Sequence, residues 1–227
     1  MSLLVGWLSQ AIHFFYVVCS SLGLPSYGFA IVVFTIAVKA ALLPLTYKQM
    51  QAMRRIQLLQ PKVQELQKRY RGNPQKAQQE IIKLYQKHGA NPLGGCLPLL
   101  IQLPILYSLF LALRRFFDPV QHPAYVNLAD AQFLWIPNLG VPDPVVLPLL
   151  AAGSTFLQQW VSLNVAGTTD QTQKTMLYVM PIFMGWISRS FPAGLALYWV
   201  VYSLVGTVEQ FLLRREAGGL KEEIEAK

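Results

Sequence analysis

Lys39 is the residue whose placement first demands a chemical account. It lies in IVVFTIAVKAALLPL, residues 31–45, a lone charge among uncharged and mostly apolar neighbours. An ammonium at membrane depth costs roughly 3 kcal/mol or more unless something solvates it. Three arrangements could do so. Lys39 could snorkel, although helical Cα–Cβ bonds tilt toward the N-terminus and aim it away from the nearer edge. It could pair with Glu209, the one acid within a later apolar stretch. Or it could face a hydrated cavity between helices. Thr35 lies one turn earlier on the same face. Gln102, Gln158, Gln159, Tyr198, Tyr202 and Ser203 supply further polar groups inside other apolar stretches. Their number favours the cavity, which would attract acidic or polar segments and shorten the dry path across a bilayer.

Other chemistry finds little support. His13, His88 and His122 have no metal-ligand spacing with one another or with Cys19 and Cys96. The two cysteines sit far apart in apolar surroundings and read as packed free thiols. There is no P-loop, dinucleotide fingerprint or HExxH motif. Neither a cofactor nor a metal is expected, and no enzymatic activity.

The elements that must position these groups are membrane helices. Hydrophobic residues make up 53% of the 227 residues and charged residues 13%, against about 25% charged in a soluble domain. Mean hydropathy is +0.36. The apolar runs lack the alternation of a transmembrane β-barrel. Spans are expected at about 28–45, 93–113, 144–163, 175–187 and 195–213, the fourth being short for a full crossing. Residues 1–25 read as an amphipathic helix lying on the membrane, ended by Pro25 and Ser26. Residues 116–143, with Phe116, Phe117, Tyr125, Phe133 and Trp135, suit a membrane interface.

Residues 46–90 differ. They hold ten Lys or Arg but only Glu65 and Glu80 as acids, so this stretch carries the whole +8 net charge. Met50, Met53, Ile56, Leu59, Val63, Leu66 and Tyr70 recur at helical spacing. Pro61 should kink or split that helix. Asn73-Pro74 is a helix start, and Gly89 a stop, so the expectation is a basic helical hairpin. The positive-inside rule places it in the cytoplasm, with the N-terminus outside and the charged tail, 215–227, inside.

Four stretches together resemble the YidC family of membrane protein insertases, related to the mitochondrial Oxa and chloroplast Alb proteins. NPLGGCLPLLIQLPILYSLF, residues 91–110, looks like the family's second-span motif. GFAIVVFTIAVKAALLPLTYKQ resembles its first conserved span and exit, LQPKVQELQKRY the start of its hairpin, and FPAGLALYWVVYSL its last span. The likeness runs over about 26–214. It implies five helices around a hydrophilic groove, open to the cytoplasm and lipid and closed to the outside. It places Lys39 where most bacterial members carry a groove Arg, four residues after Thr35, and matches Gln159 and Trp199 to groove positions. Gln102 and Tyr198 join them as candidate substrate-binding residues. Lys keeps the charge of Arg but not its bidentate fork.

The resemblance implies an insertase and chaperone of the bacterial plasma membrane, acting as a monomer on nascent membrane proteins. The ribosome, a targeting factor, the Sec translocon and anionic lipid are possible partners, and no nucleic-acid specificity is implied. Met176, Met180 and Met184, at i, i+4 and i+8, suit ordinary packing or an adaptable client surface. Two rivals predict otherwise: a small secondary transporter titrating at Lys39 would carry internal repeats, and a scaffold would tolerate neutralising Lys39.

Overall fold

The computed structural model describes residues 2–90, 97–118, 120, 122–166 and 171–213. Among them are helices α1 (Ser2–Ser21), α2 (Tyr27–Leu58), α3 (Gln60–Arg69), α4 (Pro74–Lys87), α5 (Leu97–Phe116), α6 (Val146–Ala166), α7 (Gln171–Ser188) and α8 (Ala193–Leu213), with a 3₁₀ turn at Leu128–Ala131. No strand occurs among the described residues. All five expected spans are helical. The second is described only from Leu97, and the motif residues 91–96, the centre of the loop before α7 and the charged tail lie outside the described residues.

The outside of the bundle is apolar. Leu149, Ile182, Trp186 and Phe211 are all more than 60% exposed. Lys39, Glu209, Ser108, Ser154, Thr155 and Ser203 are buried instead. Apolar groups outward and ionic groups inward is the arrangement hydrocarbon selects. Leu3–Ser21, Tyr27–Ile56, Val146–Leu163 and Ala193–Leu212 are each long and apolar enough to cross a membrane, and Thr175–Ser188 is a shorter apolar helix. Helix α1 is thus long enough to span. It packs on α2 and α5 through Val5, Ile12 and Cys19, all buried at seven-residue intervals along one face.

Helix α2 departs from the expected span. It does not end near Leu45 but runs unbroken for 32 residues, about 48 Å. Pro44 lies inside it without stopping it. The break falls at Leu59, fully buried, just before α3. Pro61 therefore splits the helix, as a residue without an N–H placed near a helix start should. The turn into α4 follows the sequence: Asn73 Oδ1 accepts from the Lys76 N–H at 3.1 Å, and Pro74 opens the helix. Gly89 closes it with φ +61°. Helices α3 and α4 pack together as the hairpin.

The dry core gathers at the opposite end. The first turns of α2 and α8, the last turns of α5 and residues 126–139 meet there. Phe116, Phe117 and Phe133 are buried in this core, not spread along an interface, while Tyr125 and Trp135 remain exposed. Tyr27 packs edge-on to Phe116 and Phe117 and stacks on Tyr16 at 4.0 Å. The loop folds back because its backbone finds partners on α8: the Ala193 and Gly194 N–H groups donate to Val141 and Leu139 carbonyls at 3.0 and 2.8 Å. Gly28 is needed beneath it, since a Cβ there would collide with the Phe133 side chain.

Candidate functional site

Lys39 lies roughly three and a half turns into α2, as do Gln158 in α6 and Gly206 in α8. These helices pack against one another, so the three residues share one level of the bundle. The Lys39 ammonium donates to Glu209 Oε2 at 2.9 Å, and both side chains are less than a tenth exposed. Of the three arrangements open to Lys39, the ion pair is the one formed. The offset along α2 and α8 is absorbed by the length of the two side chains.

Two further groups shape the lysine's surroundings. The Tyr202 ring lies 4.1 Å from Nζ, where its negative face attracts the cation. Gly206 leaves the space: a Cβ there would sit 2.5 Å from Gln158 Nε2 and 3.0 Å from Lys39 Nζ. Gly in a helix interior is unfavourable by about 1 kcal/mol relative to Ala, and this is the local reason for it. Sequence reasoning passed over Gly206; an isolated Gly one turn before Glu209 was the available signal.

The other candidates form a second layer nearer the dry core. Gln102 donates from Nε2 to the Tyr198 hydroxyl at 3.1 Å, linking α5 to α8. Trp199 donates from its indole to Thr155 Oγ1 at 3.0 Å, linking α8 to α6. The rings of Tyr198 and Trp199 both approach Tyr202, at 5.7 and 6.5 Å, which joins this layer to the lysine. Thr155 was not foreseen, although it lies one turn before Gln159. Thr35 is fully buried on the lysine's face, but its hydroxyl donates back to the Ile31 carbonyl at 2.6 Å. Gln159 is half-buried beside Gln158, and the bonds of the cluster run through its neighbours. Met184 is buried while Met176 is nearly half exposed, so the methionine row is not a single surface.

A polar, partly ionic cluster thus lies inside an apolar bundle, with the aromatic core toward one end and α2 running on into the basic hairpin at the other. A family model described as 60Kd inner membrane protein matches residues 18–219. The chain belongs to this family. Similar members carry the name membrane protein insertase YidC. That of Caldanaerobacter subterraneus subsp. tengcongensis is 41% identical over 199 residues, 87% of this chain and 90% of its own length. YidC 2 of Bacillus anthracis is 40% identical over 214 residues, 91% of this chain and 78% of its own. A crystal structure of an active YidC insertase with its first transmembrane domain resolved matches 89% of this chain and 45% of that one, with a TM-score of 0.69 at 24% identity. That likeness shows a shared fold. The 60Kd inner membrane protein family is one of membrane proteins, in keeping with the apolar exterior.

Proposed function

We infer that the protein is a membrane protein insertase that admits hydrophobic segments of nascent membrane proteins to the bilayer. The observation carrying this is family membership over nearly the whole chain, joined to buried polar groups where a passive bundle would be apolar. The hydrophobic segment enters along α2, α6 and α8 while its polar tail passes through the zone of Lys39, Gln158 and Tyr202. Thr35, Gln102, Gln159, Tyr198 and Trp199 are assigned to the lining of this path. Burial of the client's apolar span supplies the driving force, about 25 cal/mol per Å², and no covalent chemistry is involved.

The hairpin is assigned to the cytoplasm by its charge. The aromatic core then closes the outer end, with the turn between α1 and α2 outside and the residues after α8 inside. The same charge suits contact with a ribosome, a targeting factor or anionic lipid.

The test is insertion of a single-span client into proteoliposomes. Wild type should exceed empty liposomes. Lys39→Arg should retain insertion, and Lys39→Ala should lose most of it, because it leaves the Glu209 carboxylate buried without a partner. Wild type no better than empty liposomes would sink the reading.

A further inference from the structure

Lys39 does not wait with a free charge. Its ammonium already holds a carboxylate from a helix 170 positions away in sequence. A single cation projects a potential falling as 1/r, whereas a close pair of opposite charges projects only a dipole field, which falls faster. The entry zone is therefore close to neutral, while the +8 charge of the chain stays in the hairpin. Glu209 also lies only about one turn from the end of α8. On the insertase reading, this is the end from which a client arrives, so a client tail meets the carboxylate before the ammonium.

We propose that Glu209 is a specificity-determining residue that acts as a built-in competitor for the client's charge. It occupies Lys39 at rest, and a client carboxylate must displace it to reach the cation. A tethered competitor is present at high effective concentration. The wild-type protein therefore discriminates weakly between acidic and neutral translocated tails. An ammonium has three donors, so a client carboxylate can approach while Glu209 is still held, and the ammonium is not left naked during the exchange. Gly206 and Tyr202 make the exchange possible: the glycine leaves the ammonium room to swing, and the ring face holds it meanwhile.

This inference rests on the insertase reading, and the experiment separates the two. Proteoliposomes are given single-span clients identical except for acidic or amide-neutralised tails. In wild type the acidic-to-neutral insertion ratio should stay within about twofold, and in Glu209→Gln it should rise at least about threefold, as expected when a unit charge in a water-poor site is freed. In Lys39→Gln/Glu209→Gln the ratio should return to the wild-type range. An unchanged ratio in a Glu209→Gln protein that still inserts the neutral client would overturn the proposal. So would a raised ratio that persists in the double variant. If Glu209→Gln does not fold, Glu209→Asp decides: it keeps the charge but draws the carboxylate back, so its ratio should exceed wild type, and an unchanged ratio overturns the proposal. Failure of wild type to insert either client would instead remove the insertase reading itself.

Discussion

At the scale of single residues, the site depends as much on a missing side chain as on the charged ones. Gly206 lets Lys39 and Gln158 occupy the same crevice. The atoms a Cβ would meet are the far ends of flexible side chains, so Gly206→Ala should be tolerated. The gain in helix propensity, about 1 kcal/mol, offsets the displacement. Gly206→Leu should fill the crevice, push the ammonium off Glu209 and destabilise the protein by about 1–3 kcal/mol through overpacking. Thermal unfolding in detergent and client insertion check both. Equal behaviour of Gly206→Leu and wild type would show that the crevice is not used. Lys39 as an odd residue was legible from its neighbours alone. Its partner was legible only as one alternative among three: Glu209 is the one acid in a later apolar stretch, but nothing local joins the two, and the helix register decides the pairing.

At the scale of elements, Asp143 decides how α6 begins. Oδ1 accepts from the Val145 and Leu147 N–H groups at 2.9 and 3.1 Å, and Oδ2 accepts from the Trp135 indole at 2.9 Å. Partial burial pulls its carboxyl upward, but the Trp135 indole and the backbone N–H groups of Val145, Leu147 and Val146 outweigh it and hold it below the ordinary Asp value. The native state then binds fewer protons than the unfolded one on acidification, so stability falls as pH falls. The contribution is fully present above about pH 4, the unfolded Asp value, and is lost below it. Asp143→Ala should remove that acid dependence and cost about 1 kcal/mol at neutral pH as a lost cap. An unfolding series from about pH 2 to 6, roughly two units either side of the unfolded Asp value, checks the sign. Asp143 can be read from sequence as a helix-start residue; the Trp135 bond cannot, because it depends on the loop folding back.

At the scale of the whole molecule, one end holds the aromatic core and the other the basic hairpin. The hairpin turn and the loop after α5 should therefore lie on opposite sides of the membrane. Gly72 stands in open space at the hairpin turn, and Val120 is 89% exposed in the loop. In a background with Cys19 and Cys96 replaced by Ala, Gly72→Cys should resist an impermeant thiol reagent added outside intact cells, and Val120→Cys should react. The reverse pattern would overturn the assigned orientation. Reaction at both positions would show that they do not lie on opposite sides.

The apolar runs, the basic stretch of 46–90, the Asn73-Pro74 helix start and the family motifs were settled by sequence alone. Each depends on hydrophobicity, charge or turn chemistry within a few residues. Tertiary structure decided three other matters. Helix α2 runs on to Leu58 because Pro44 does not interrupt it. The aromatics of 116–133 are buried because the loop finds backbone partners on α8. Lys39 is neutralised because α2 packs on α8 at a register that brings Glu209 to 2.9 Å, with Gly206 leaving the space between. Packing register is a property of two helices together, and neither carries it alone.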